Sequence, residues 1–408
     1  MAVNEDEFLI KRKFIIKLGK ALHKFGTPAY RLESHLRNVA ATLGLEGYFL
    51  ITPTTMTFVL QRENDQEYNH IARVKPGELD LGSLARCDEL VDELTTGQRD
   101  LNDAMARLQD IESRPNPYGA LLSGSAFTAA AAAFAMLMQT SWNDVLWSAL
   151  LGLMVYGFVY LAERSPRTSE MLEPLSAIAC GVLACLIAVL DAGINIPVVI
   201  LSGLIIFVPG LALTIGLSEL AARDLISGTA RVMDAMMLLF KLYFGAVLGM
   251  AIGKALVGPV VYLEPAALPD WAPWGSVPVL SMALVIVFKA RLKDAFWGIL
   301  AGAIAFSVAA LAGKYFGNSI SVFFGALAVG LYASLYSRWM NAPASIALLQ
   351  GIVILVPGSK SYIGLNAMIT GEMMLKQTHL GSQVFLIFMS LVAGLIFANV
   401  LMPPRRTL

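Results

Sequence analysis

Hydrophobic positions follow two different patterns along this chain. Before about residue 117 they recur at the spacing of half-buried helices and strands; from 118 to 402 they merge into long apolar blocks. In the first part Ile15, Leu18, Leu22 and Phe25 alternate with Lys and Arg at helical spacing, which predicts a helix over residues 8–25 that Gly26 ends. Thr27 is placed to cap a second helix with Pro28 at its first position, lined by Tyr30, Leu36, Val39 and Leu43 and closed by Gly44. Glu33 and Arg37, four apart, read as a surface pair on it. Residues 48–52 and 57–62 alternate as strands about a Thr-Pro-Thr-Thr turn, residues 68–74 read as a third strand, and helices follow over 83–95 and 99–113. The expectation is a small α+β domain over 1–117.

The second part predicts membrane spans, each needing roughly 20 apolar residues. Ten segments qualify: 118–138, 143–161, 174–191, 194–216, 234–255, 275–290, 293–313, 317–336, 343–368 and 380–402. Composition agrees, since 57% of the 408 residues are hydrophobic and more than half of the charges fall before residue 118. Arg164, Arg167, Arg223, Arg231, Lys289, Arg291, Lys293, Arg338, Arg405 and Arg406 all fall on one side of this topology. Positive loops stay in the cytoplasm, so both termini are expected there, with 258–274 as an extracytoplasmic loop. Residues 1–6 are polar and acidic and do not read as a signal peptide. Trp142, Trp147, Trp271 and Trp274 suit interface anchors, while Gly124, Gly245, Gly249 and Gly253 suit close helix packing.

Two of the blocks repeat each other. Gly203-Leu-Ile-Ile-Phe-Val-Pro-Gly210 is echoed 148 residues on by Gly351-Ile-Val-Ile-Leu-Val-Pro-Gly358, and each copy continues to an Ile-Gly-Leu. A Pro-Gly pair inside a span removes an N–H and relaxes the backbone, so both helices are expected to break. The offset corresponds to five spans, and an odd number inverts the second copy. The predicted architecture is therefore a polytopic α-helical membrane protein: ten transmembrane helices as two inverted five-helix repeats, 118–257 and 275–408, preceded by the small cytoplasmic α+β domain. Broken helices in matching positions of two halves point to a transporter's binding site.

The Gly26-Thr-Pro-Ala-Tyr-Arg31-Leu-Glu33 block, the Phe-Val-Pro209-Gly210 helix, Arg223-Asp-Leu-Ile-Ser-Gly228, Arg231, Leu-Val-Pro357-Gly358-Ser359 and Gly371-Glu372 together resemble the threonine/serine exporter family, in the form that fuses its two five-span modules. The resemblance runs from about residue 10 to 402. It implies a secondary exporter of small hydroxy amino acids in the inner (plasma) membrane, driven by the proton-motive force. Some two-component relatives are associated instead with short dicarboxylates such as succinate.

The residues offer matching chemistry. Half-helices starting after Pro209-Gly210 and Pro357-Gly358 would present N–H groups to a substrate carboxylate, with Thr214, Ser359 and Ser361 adding hydroxyls. Lys360, inside a span, either holds that carboxylate, exchanges partners with an acid, or snorkels to an interface. Candidates for proton coupling are Asp224, Glu219, Asp234, Arg231 and Glu372, with Asp224 first, because burial raises a carboxyl's pKa. Asp224 and Arg231, seven apart, share a helix face, as do Glu219 and Arg223, four apart. Pro197 to Ser227 would span roughly 46 Å as one helix, longer than an apolar core, so these charges lie in a cytoplasmic extension or a re-entrant turn.

Other chemistry finds little support. Cys87, Cys180 and Cys185 and the four histidines lack ligand spacing, so neither metal nor cofactor is expected. No phosphate-loop motif occurs. A membrane enzyme would need a nucleophile with a base in reach, which the sequence does not offer; a channel stays open. The expected partners are the small-molecule substrate, protons and the lipid bilayer, with no nucleic acid and with homo-oligomerisation undecided.

Overall fold

The structure is a computed structural model that describes residues 2–62, 67–258, 266–356, 358, 362–363 and 380–406. The N-terminal layer opens with α1 (Ala2–Lys24) and α2 (Ala29–Thr42), then an antiparallel sheet in the order β1 (Glu46–Ile51), β2 (Thr55–Gln61), β3 (Tyr68–Arg73), then α3 (Leu81–Thr95) and α4 (Leu101–Ser113). Alternation sends Phe49, Ile51, Met56, Phe58 and Leu60 into one core with Phe14, Leu18, Leu22, Leu32, Leu36, Leu84 and Leu108. The pairing of Phe49 with Phe58 sets the register. The expected α+β elements are all present, with boundaries moved by a few residues.

The cap of α2 is not the expected one. Pro28, at φ −59° and ψ 145°, takes the N-cap position, and the Thr27 hydroxyl is buried without a partner among the described residues. Proline's fixed φ suits either position; Pro28 is extended here, so the helix starts one residue later. Glu33 also differs from its expected role, because its Oε1 accepts the Ile51 N–H at 2.8 Å.

The apolar part is helical: α5 (Ala120–Leu137), α6 (Trp142–Ala162), α7 (Pro166–Glu170), α8 (Leu172–Leu190), α9 (Ile196–Gly203), α10 (Gly210–Ala221), α11 (Leu225–Val257), α12 (Ala272–Val287), α13 (Leu292–Phe316), α14 (Ser321–Met340), α15 (Ser345–Leu355) and α16 (Leu380–Leu401). Six of these are long and apolar enough to cross a membrane: α5, α6, α8, α11, α13 and α16. A seventh crossing forms if Ile196–Gly203 and Ile205–Ala221, bent by 59°, count as one span. The remaining expected segments hold helices: α12 and α15 are shorter apolar helices, and α14 carries Arg338 in its last turn.

The helices of the two halves pack in the same pairs. The α8–α11 contact is matched by α14–α16, the α6–α9 contact by α13–α15, and α5 lies against α12 between them. On α11, Gly245, Gly249 and Gly253 sit against Pro174, Ile178 and Cys185 of α8, the close approach expected of that spacing. Among the tryptophans, Trp142 and Trp271 are exposed with rings 6.2 Å apart, whereas Trp147 donates to Asp191 at 2.9 Å.

The N-terminal layer is joined to the helices at several points. The N–H groups of Leu81 and Gly82 donate to the carbonyls of Phe288 and Lys289, at 3.0 and 3.2 Å. Arg291 and Lys293 reach Glu89, and Arg406 reaches Asp88 and Asp92.

Candidate functional site

The first break begins where α9 ends. One 3-10 turn follows, Ile205–Phe207, then Val208 is extended at φ −64° and ψ 117°, and α10 restarts at Gly210. Pro209 cannot donate to the preceding turn, so the helix cannot run through it. The second break begins in the same way: α15 ends at Leu355, and Val356 is extended at φ −66° and ψ 129°. Gly358 is helical and buried. Pro357, Ser359, Lys360, Ser361 and Glu372 lie outside the described residues.

The two breaks meet. A Cβ built on Gly210 would lie 3.0 Å from the Gly358 Cα and 3.2 Å from its nitrogen; one built on Gly358 would lie 3.1 Å from the Gly210 Cα. The backbones cross at glycines because any side chain there would hold them apart. Beyond the crossing, Tyr362 and Ile363 pack into a core built largely by the first half, and the Tyr362 ring stands edge-on to Tyr243 at 5.9 Å.

Among the described residues no side chain caps the α10 N-terminus, which opens at this crossing. The Gly210 N–H is taken by the Val208 carbonyl at 2.8 Å, and the next N–H groups of the first turn have no acceptor within the helix, an arrangement that favours an anion. Thr214 is nearby but committed: its hydroxyl donates to the Gly210 carbonyl at 3.0 Å. Ser218 repeats this one turn later, donating to the Thr214 carbonyl.

The charges gather at the other end of α10. Glu219 is fully buried and accepts from Arg231 at 2.9 and 3.2 Å. Its Oε1 also accepts the Ala29 N–H at 3.0 Å, so a carboxylate on α10 caps a helix of the N-terminal layer. Neither helix face expected from the spacing brings its two side chains together. Arg223 turns the chain between α10 and α11 at φ 65° and leaves Glu219, while Asp224 caps α11 through the Ser227 N–H at 3.4 Å instead of facing Arg231. The chain reverses between Glu219 and Arg231, so their side chains meet across two helices.

Asp224 remains half-buried, with Oδ2 unpartnered among the described residues. Burial pushes its carboxyl up, against the opposing Ser227 N–H. Asp234 is exposed on α11, away from this cluster.

A family model described as a threonine/serine exporter matches residues 13–253, and a second threonine/serine exporter model matches residues 276–401. The chain belongs to the threonine/serine exporter family. Curated relatives include an uncharacterised protein of Schizosaccharomyces pombe, 27% identical over 88% of this chain and 48% of its own length. They also include pheromone-regulated membrane protein 10 of Candida albicans, 27% identical over 90% of this chain and 34% of the relative. The Saccharomyces cerevisiae protein of that name is 23% identical over 88% and 47%. The chain thus spans about half or less of the relatives' length. No solved structure matches.

This exporter-family chain holds further buried polar groups that sequence reading passed over. Asp144 closes a capping box with Ser141 and also accepts the Asn195 N–H at 2.7 Å, tying α6 to α9. In the same place of the second half, Asp294 accepts from Arg291 and from the Tyr336 hydroxyl at 2.9 Å, tying α13 to α14. Ser202 and Gln350, which correspond in the repeat, are both fully buried, and the Ser202 hydroxyl and both amide atoms of Gln350 find no partner among the described residues. Their positions one residue before Gly203 and Gly351 were a usable signal; their burial was not.

Proposed function

We propose that this protein is a secondary active exporter of small hydroxy amino acids, threonine and serine, built as two inverted five-helix halves with both termini in the cytoplasm. The observation that carries this reading is the crossing of the two breaks at Gly210 and Gly358. Two halves that each contribute one broken helix to a single point form a hinge between them, and alternating access needs such a point. The matched pairings α8–α11 with α14–α16, and α6–α9 with α13–α15, support the repeat.

The substrate carboxylate binds at the start of α10, uncapped among the described residues, where the N–H groups after Gly210 and the helix dipole favour a negative charge. From the second half, Lys360, Ser359 and Ser361 stay candidates by sequence, next to the described Gly358. Proton coupling belongs to the Asp224 region. Its carboxyl is pushed up by burial, and its backbone N–H donates to the Glu219 carbonyl at 2.9 Å. Protonation of Asp224 therefore changes the field at the Glu219–Arg231 pair on the same broken helix.

The test is counterflow in proteoliposomes loaded with threonine or succinate under an imposed pH gradient, with wild type, Lys360→Ala and Asp224→Asn compared. Gradient-dependent threonine movement lost in both variants supports the reading. Succinate movement without threonine replaces the substrate with a short dicarboxylate. Threonine movement indifferent to the gradient and to Asp224→Asn removes proton coupling.

A further inference from the structure

A second site lies away from the breaks, where the N-terminal layer meets the helices. A cavity of about 190 Å³ opens there between the start of α3 and the segment leading into α5, lined by Asp80, Ser83, Arg86, Arg114, Pro115 and Pro117. One water needs only ~15 Å³ by a comparable measure, so the space admits a larger guest. Its back wall is fixed by the bonds from Leu81 and Gly82 to the Phe288 and Lys289 carbonyls. The prolines hold the front wall, and α5 begins three residues after Pro117. The cavity therefore sits beside the first apolar helix, at the level where a bilayer surface would begin.

The charges around it do not balance locally. Arg291 is committed to Glu89 and Asp294, at 2.7 and 2.6 Å. Arg114 shares Asp110 with Arg107, each at 2.7 Å. Asp80 turns Oδ1 to the Ser83 N–H at 2.7 Å as the cap of α3. Arg86 alone of this group makes no hydrogen bond or ion pair among the described residues, although it is half-buried and its Nη1 folds back over Gly82. Burial, then the like charges of Arg114 and Arg291, hold its guanidinium below the usual range. A planar fork of donors that stays charged, facing a second guanidinium across a cavity, matches the bidentate geometry of a phosphate or carboxylate.

We propose that this cavity binds a monoanionic phosphate-class group, held by Arg86 and Arg114. One unpaired positive charge fits a phosphodiester better than a dianion, because Asp80 stands in the same wall. The group belongs either to an anionic lipid headgroup or to a soluble phosphate. In both cases it would bridge the N-terminal layer to the membrane-facing helices.

The experiment follows thermal unfolding of the full chain in a zwitterionic detergent during titration with short-chain phosphatidylglycerol, short-chain phosphatidylcholine or inorganic phosphate. A saturable rise with an anion and none with phosphatidylcholine is expected. Arg86→Gln should weaken the midpoint at least ~10-fold, the effect of losing a charge-assisted partner, and Arg86→Lys should weaken it less. Arg107→Gln, which alters the same Asp110 pair outside the cavity, should leave it unchanged. Phosphatidylglycerol alone acting identifies a lipid headgroup, and phosphate alone a soluble ligand. Absence of a saturable shift overturns the proposal, as does an equal response in the Arg86→Gln and Arg107→Gln proteins.

Discussion

Replacing Glu219 by alanine removes three hydrogen bonds at once. The carboxylate is fully buried and holds Arg231 through two of them and the Ala29 N–H through the third. Removing one partner of a buried ion pair costs about 3–5 kcal/mol, because the other charge is left without compensation. The Arg231 side chain retains 16% exposure, which lets water solvate it in part and moves the expectation to about 3 kcal/mol. The lost cap on α2 adds about 1 kcal/mol. Hydrogen exchange separates the two effects. Amides in the first turn of α2 should exchange roughly 5-fold faster in Glu219→Ala if about 1 kcal/mol of local stabilisation is lost there. The sheet amides of β1 and β2 should change far less. The double variant Glu219→Ala/Arg231→Met should recover most of the loss at α11 but none at α2, since it removes the stranded charge without restoring the acceptor. Unchanged exchange at residues 29–32 in Glu219→Ala would refute the capping argument. A double variant no more stable than the single one would refute the ion-pair argument.

Three other outcomes are expected. Gly210→Ala or Gly358→Ala should force the crossing backbones apart, abolish transport and destabilise by about 1–3 kcal/mol; wild-type transport rates in either would show that the crossing is not needed. Gln350→Met replaces two buried atoms unpartnered among the described residues with a side chain of similar size, so the melting temperature should rise; a fall would mean that water, a ligand or another residue satisfies the amide. Burial pushes His35 down to about 4, so it stays neutral in the fold while the unfolded chain takes up a proton near its ordinary value. Stability relative to His35→Gln should therefore fall by about 3 kcal/mol as pH drops from about 6.5 to 4; a flat difference across that range, measured by denaturant unfolding, would disprove it.

The N-terminal layer was legible because its periods are clean: 3.6 along Ile15, Leu18 and Leu22, and 2 along Phe49 and Ile51, with Gly26 and Gly44 as stops. The breaks were legible because Pro-Gly within an apolar block admits few other readings. Pairings across distance were not. The Ala29–Glu219 bond joins residues 190 positions apart, and nothing local to Thr27-Pro28 announces that the acceptor comes from another helix. The spacing of Asp224 and Arg231 misled for a physical reason: the seven-residue rule holds inside a helix, and Asp224 is the cap at its end, turned back to Ser227. Arg86 illustrates the same limit, since an unpaired guanidinium is defined by what fails to approach it.

The position of Glu219 has a consequence for how the N-terminal layer acts. Gly210, at the crossing, and Glu219, at the cap of α2, are the two ends of one helix, nine residues and about 13 Å apart. A helix of that length moves as a rigid rod, so a change in bend at the break displaces Glu219 by an amount comparable to the displacement at Gly210. The Ala29 N–H bond is 3.0 Å long and fails within about 1 Å of stretch. The N-terminal layer must then either follow α10 or release it. The seam from Leu81 and Gly82 to Phe288 and Lys289 anchors the same layer to the turn between α12 and α13 in the second half. A layer bonded to both halves resists any rotation between them, and Glu219 is where that resistance would yield first: its link to Ala29 is one hydrogen bond, whereas the seam is held by two backbone bonds and by the Arg291 and Lys293 pairs with Glu89. Under the proposed alternating-access reading, Glu219→Ala should accordingly loosen the layer and raise the rate of exchange between the two access states, even as it lowers stability. Crosslinking a cysteine at Ala29 to one at Glu219, whose carboxylate already meets the Ala29 N–H, should freeze transport, and reduction should release it. Full activity of the crosslinked protein would show that α10 moves without straining the layer.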